Sequence, residues 1–402
     1  MKQIFFFNIV LAFFCIQQVK AQSCKTNAEV EMVPGEYQTA AQYPWPAVRA
    51  EYFKNLSTAA DKAMAKQTLN QIEKIEAQSH EGFTLTGGNW ENIYATKGYA
   101  YFGTTKLGQY SFEASLHEFF CLNGKLKRND EAGTILRIYV NAIPTNTLSN
   151  FLDCPFGSSM GDYDFGLQYR DWKNHKPADV NAQLITLFSY LSCSNSSLME
   201  AINTGEHYFQ DVAEKNIRPN NRNTLITRYW FMKKKDTPVL VPVSRKEYLH
   251  SLLEYYDREQ LYFPKLTAQL TADHDAGVKQ YSQWQADVAD KIAAVKKVLN
   301  EQDEAWLSKP AVINRLADAS QTYKAGLKER TNYNRFWKFY DNEPKSEPLY
   351  KYNPACFTNA AQEPVKPRVI TVVFRYVTIP ASLRLLNNFM QQFDFDALRK
   401  LL

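Results

Sequence analysis

The sequence predicts an α+β protein: antiparallel β-meander and hairpin sheets covered by helices, plus a long antiparallel helical hairpin. Three observations carry that prediction. Residues 110–140 alternate apolar and polar side chains around Asn123-Gly124, a pair suited to a type I′ turn because both central residues need positive φ. Residues 224–243 read as two strands that end at Ser244 and Glu247, which have the spacing of a helix capping box. From residue 273 to 308 the apolar period changes to three-four with charges between, the pattern of a long helix with one buried seam.

Residues 1–21 read as a secretory leader. Lys2 gives a positive start, residues 4–16 an apolar run, and Val19-Lys20-Ala21 a small residue at the cut. Cleavage after Ala21 leaves Gln22 first and free to cyclise, in the periplasm or outside the cell. The apolar run is too short for a spanning helix, and no later run reaches that length. Four units are expected beyond the leader. They are an N-terminal α+β unit (22–150), a middle α+β unit (151–262), a helical hairpin (263–342), and a Pro-rich connection with a return strand and terminal helix (343–402).

Within the first unit, Pro34-Gly35 marks a turn and Pro44-Trp45-Pro46 a stiff entry to a helix in two pieces. The second piece starts at Thr58, with Asp61 at capping-box distance, and runs to about residue 78. Ala65, Leu69, Ile72 and Glu76 mark its inner side, with Ile75 beside them, and Gly82 ends it. Tyr110, Phe112, Ala114 and Leu116 then point one way along a strand, and Leu136, Ile138 and Val140 form another. The meander is expected to rest one face on the preceding helix.

Residues 145–180 look loop-rich, with one short strand at 165–172, followed by a helix at 178–191 and a short one at 198–203. The strands 224–232 and 239–243 read as a hairpin leading into an aromatic-rich helix at 245–259. Val278, Tyr281, Gln285, Val288, Ile292, Val295, Leu299, Gln302 and Trp306 form the seam of the next helix. Pro310 permits a fresh start, and Ile313, Leu316, Tyr323 and Leu327 continue helically to about 339. Packing these two helices against each other is the favoured arrangement, and self-association through the seam is the alternative. Five prolines between 342 and 367 mark a surface connection around Cys356, residues 369–378 a β-branched strand, and Pro380 the start of a terminal helix with Leu383, Leu386, Phe389 and Met390.

The net charge is +5, and +3 once Lys2 and Lys20 leave with the leader. Basic and acidic residues are interspersed, and the only basic run is Lys233-Lys234-Lys235, so a nucleic-acid partner is not expected. Aromatics make up 14% of the chain; they serve either a core and sheet faces or a surface for peptide or glycan. Cys24, Cys121, Cys154, Cys193 and Cys356 remain after cleavage, enough for up to two disulfides with one left over. Their wide spacing speaks against zinc. Cys24 is a lipidation candidate, although Ala21-Gln22-Ser23 is a poor lipobox and Lys20 interrupts the apolar run.

Gly157-Ser158-Ser159-Met160-Gly161 matches G-x-S-x-G, but the strand-turn-helix that exposes a nucleophilic serine is not predicted around it. Glu113 and His117 share a strand face near Glu118, a set able to hold a metal or move a proton, though a solvated strand face is favoured. Asp162 and Asp164 lack the further ligands of a calcium loop, and Asp273-His274-Asp275 fits the acidic start of a helix. No residue is therefore assigned a catalytic, cofactor or metal role. The expected function is non-catalytic binding of a protein, peptide or glycan in the cell envelope. One alternative is an exported hydrolase using Asp/Glu carboxylates or Ser159; another is an envelope component lipid-anchored through Cys24.

Overall fold

The structure is a computed structural model and describes residues 23–102, 105–143, 149–150, 186–205, 208–210, 214–215, 224–233, 237–269, 274–325, 335–358 and 360–402. In chain order it opens with α1 (Asn27–Val30), β1 (Tyr37–Gln38), α2 (Pro46–Glu51), α3 (Ala59–Gln78), β2 (Gly88–Phe102), β3 (Thr105–Leu122), β4 (Lys125–Arg128), β5 (Thr134–Val140) and β6 (Ser149–Asn150). A 3-10 turn at Thr186–Ser189 leads to β7 (Leu191–Ser192), α4 (Ser196–Thr204), β8 (Tyr208–Gln210), β9 (Glu214–Lys215), β10 (Thr224–Lys233) and β11 (Leu240–Pro242). Then come α5 (Arg245–Gln269), α6 (His274–Glu301), α7 (Glu304–Leu307), β12 (Val312–Ile313), α8 (Arg315–Lys324) and β13 (Glu347–Tyr352). A 3-10 turn at Pro354–Phe357 precedes β14 (Val369–Val377), α9 (Pro380–Gln392) and α10 (Phe395–Arg399).

The larger sheet has the strand order β1-β2-β3-β5-β14-β10-β8, with β4 on β3 and β9 on β10. Among the described strands, β1 alone pairs in parallel. Period-two alternation aligns one row of side chains across five strands, Tyr94–Phe112–Ile138–Val372–Trp230. The face that carries it is covered by Ala65, Leu69 and Ile72 of α3 and by Leu385, Leu386 and Phe389 of α9. A fully buried leucine or phenylalanine stabilises such a layer by roughly 1.5–3 kcal/mol.

Specific bonds hold α3 in place. Thr58 caps it by accepting from the Asp61 N–H, and Glu76, buried beneath it, accepts from the Trp90 indole at 2.6 Å. Glu73 accepts from the Ala40 N–H at 2.7 Å and from the Tyr94 hydroxyl. The meander is the predicted one, and its turn residues Asn123 and Gly124 have φ of 52° and 73°. The return strand is β14, which lies between β5 and β10 in the sheet interior. On the opposite face, Leu198, Met199 and Ile202 of α4 pack over Tyr229, Phe231 and Val373.

The smaller sheet has the order β11-β13-β7-β6, with β12 on β13. Its core joins Val243, Ile313 and Leu349 to Leu249, Leu252, Tyr255 and Tyr256 of α5 and Val288 and Val295 of α6.

Several expectations are corrected. β10 and β11 do not form a hairpin, because β10 pairs with β14 and β8 while β11 pairs with β13 in the other sheet. The heptad helix ends at Glu301, and Val288 and Val295 of its seam share one core with Leu249, Leu252, Tyr255 and Tyr256 of the preceding helix α5, which Leu307, Ile313 and Phe339 of the following segment join. After Pro310 the chain is drawn into the smaller sheet, with the Ala311 N–H bonded to the Val243 carbonyl at 2.8 Å, and among the described residues the ten-residue α8 is the helix that follows before residue 340. The long hairpin predicted for 263–342 is thus replaced by α5 against α6. Helix α5 itself runs past its expected end at 259 to Gln269. The described end of the helix expected at 178–191 is a 3-10 turn followed by β7, and the strand expected at 165–172 lies outside the described residues.

Candidate functional site

Of the residues singled out from sequence, Glu113 and His117 do share one face of β3, and Glu118 faces the other way. They do not converge on a common point. Glu113 pairs with Arg137 on β5. His117 places Nε2 3.6 Å from Glu91 and Nδ1 3.0 Å from the Asn129 carbonyl. Arg128 closes on Glu91, which is almost fully buried and so depends on such partners. The expected solvated face is a half-buried chain of ion pairs. Among the described residues, no group of three or more His, Cys, Asp or Glu side chains is placed to hold a metal.

Glu118 lies instead beside Glu31. Burial, and then the Glu31 charge, push its carboxyl up to about 7. Ser159, Asp162, Asp164, Cys154 and Asp273 lie outside the described residues, and His274 is the first residue of α6. Cys24 is disulfide-bonded to Cys121, with Cα atoms 5.9 Å apart. Cys193 is buried, which raises its thiol pKa, and Cys356 is half-buried.

A site that the motifs did not disclose lies on α5. A cleft of about 520 Å³ is bounded by the first turns of this helix, by Thr186, Ser189 and Tyr190, and by Lys351, Tyr352 and Pro354. The capping box builds its helical wall. The Glu247 N–H donates to Ser244 Oγ at 3.2 Å, and the Ser244 N–H donates back to Glu247 Oε2 at 3.1 Å. From that start, the 3.6-residue period buries Tyr248, Leu249, Leu252, Tyr255 and Tyr256. Glu247, His250, Ser251 and Glu254 are left along the cleft side.

The cleft carries both charge signs and two phenols. Lys351 donates to Glu247 from β13, and Lys246 reaches Glu304 on α7 at 2.9 Å. Burial alone would raise the Glu247 pKa, but the Lys351 and Ser244 bonds outweigh it and hold the carboxylate below its usual range. The Tyr190 hydroxyl, hydrogen-bonded with Ser251, is pushed up to about 12 by burial first and then by Glu247 and Glu254. Both carboxylates therefore act on the cleft interior. They stand two turns apart on one helix, about 10.5 Å in rise, and do not face each other across a gap as a glycosidase pair does. Ser251 Oγ donates to the Tyr248 carbonyl at 2.7 Å and has no histidine bonded to it among the described residues. Such a wall is suited to holding a ligand by charge, hydrogen bonds and aromatic area.

The signal for this site was present as the 3-4 spacing Glu247, His250, Glu254. Without β13 and Tyr190 opposite, it reads as an ordinary solvated helix face. Compared with known proteins, the chain matches no family model, no curated protein and no solved structure.

Proposed function

We propose that the mature chain is an exported, non-catalytic protein of the cell envelope that binds a peptide in the α5 cleft. The observation that carries this reading is the cleft itself, whose carboxylates share one helical face and whose Glu247 is already held by Ser244 and Lys351. Half-buried Tyr352 supplies flat apolar area with a polar tip beside those charges, a combination that suits peptide side chains. Export is supported by the Cys24–Cys121 bond, since disulfides persist in oxidising compartments. The same bond uses the thiol that lipid attachment at Cys24 requires, which speaks against an anchored form. No described helix is long and apolar enough to cross a membrane.

The test is to pass a mixed peptide digest over the immobilised mature protein and to analyse both the retained and the released peptides. The binding reading expects a subset retained intact, and loss of that subset when Lys351→Glu places a second acid against Glu247. New cleavage products in the flow-through would turn the assignment to a hydrolase.

A further inference from the structure

Three charged side chains from three elements meet where the N-terminal segment crosses the end of β3. Glu118 is half-buried there, and its Oε1 is shut off from water and accepts no hydrogen bond among the described residues. A methyl added at Gly133, in the segment before β5, would stand 3.3 Å from that oxygen. One added at Gly87 would stand 3.3 Å from Oε2 of Glu31, and the next residue, Gly88, pairs with Glu118 in the sheet. The two carboxylates therefore flank one short stretch of backbone that offers neither of them a side-chain donor. The third group is Arg384, in the second turn of α9. Its Nη2 donates to Glu31 Oε2 and to the Glu31 carbonyl, both at 3.1 Å, and to Thr86 Oγ1 at 2.9 Å. His117, the neighbouring residue on β3, faces the other way toward Glu91, and Asp130 and Glu131 before β5 are exposed.

From this arrangement we infer that Glu118 is a proton-operated latch that holds the N-terminal segment against α9. While Glu118 keeps its proton, Glu31 is the one carboxylate of the pair that carries charge, and its ion pair with Arg384 ties the segment to the helix. When the proton passes to water, a second negative charge stands beside Glu31, and repulsion between the two loosens that tie. Burial and then Glu31 push the Glu118 carboxyl up to about 7, which sets the working range near neutrality. The closed latch holds the proton more tightly than an open one, in which Glu118 returns to its ordinary 4.5. Closure is thus fully favoured in acid, weakens as pH rises to about 7, and changes little beyond that. The Cys24–Cys121 bond keeps the released segment attached to β3.

Amide hydrogen exchange of the full protein tests the inference, followed at Met32, Val33 and Gly87, whose N–H groups are hydrogen-bonded in and around the latch. Rates are corrected for the intrinsic pH dependence of exchange and compared with those of Ile138 and Val372 inside the sheet. The latch amides are expected to exchange faster than the sheet amides, through local opening. Between pH 6 and pH 8 their protection is expected to fall about tenfold, the ratio set by a carboxyl that moves from 4.5 to about 7. Glu118→Gln is expected to hold that protection constant over the range. Arg384→Met, which removes the tie itself, is expected to leave the same amides poorly protected at both pH values and serves as the test if Glu118→Gln does not fold. Unchanged protection in the wild type, or a fall that persists in Glu118→Gln, overturns the latch. So does exchange no faster than in the sheet, or an Arg384→Met protein as well protected at pH 6 as the wild type.

Discussion

Cys24 and Cys121 are bonded across a sequence separation of 97 residues, and the Cys24 N–H also donates to the Gly124 carbonyl at 3.2 Å. The bond ties the first described residues to the end of β3 and to the Asn123-Gly124 turn beyond it. A cross-link over a loop of this length removes freedom from the unfolded chain, with a typical effect of about 2–4 kcal/mol. Urea unfolding of the oxidised protein, of the reduced protein and of Cys121→Ser is expected to show that loss in the latter two. Coincident curves would mean that the bond adds nothing.

The pH dependence of stability follows from two half-buried carboxyls. Glu118 is raised from 4.5 to about 7 by burial and by Glu31. Asp318 is raised from 3.8 to about 7 by burial, which outweighs the Tyr340 hydrogen bond and the Lys338 charge. In both cases the folded state holds the proton more tightly than the unfolded state. Their contribution is therefore fully present at pH below the unfolded values and is lost as pH rises through about 7. Glu247 acts in the opposite sense, adding stability above its ordinary value that fades in acid. Stability is expected to peak on the mildly acidic side and to fall by about 1–2 kcal/mol toward the alkaline side, after allowance for solvent screening. Glu118→Gln together with Asp318→Asn is expected to flatten that fall; a slope unchanged in the double variant would refute the assignment.

The start of α5 supports one wall of the cleft, so its cap matters twice. Ser244→Ala removes the bond to the Glu247 N–H and is expected to cost about 1 kcal/mol. Lys351 still holds the Glu247 carboxylate in this variant. Peptide affinity is thus expected to fall less than stability does, as read by thermal melts beside calorimetry.

Core and surface of the terminal helix should separate cleanly. Phe374 is buried in β14 with its ring 5.0 Å from that of Phe389, and Phe374→Ala is expected to cost about 3–5 kcal/mol. Leu383 on the same helix as Phe389 is 38% exposed, and Leu383→Ala is expected to change stability by no more than about 0.5 kcal/mol. Chemical denaturation of both variants checks the contrast.

The elements legible in the sequence are those whose local pattern and tertiary partner agree. Helix α3 announces itself through Thr58 and the stripe from Ala65 to Ile75. Strand β3 does so through the alternation at Tyr110, Phe112, Ala114 and Leu116, all of which are buried as read. The smaller sheet was not legible in this way. Strand β11 has three residues and draws its partner from β13, more than a hundred positions away. Proximity in sequence therefore pointed to β10, which pairs elsewhere. The seam of α6 was visible, but period alone does not say which neighbours fill it; α5 does so, in a core shared with Leu307, Ile313 and Phe339. Leu383 and Met390 match the helical period of α9 yet remain partly exposed, because the buried stripe runs through Leu385, Leu386 and Phe389. The candidate cleft depends on Tyr190, Glu254 and Lys351 meeting from three elements, and no local pattern encodes that meeting.

The central claim is that this chain works outside the cytoplasm as a disulfide-closed binding protein, and mass spectrometry of the protein from its native source tests it most directly. The account predicts a mature chain that begins at Gln22, in free or cyclised form, with a proteolytic fragment in which Cys24 is linked to Cys121. A chain that retains Met1, or a Cys24 that carries a lipid, would contradict it.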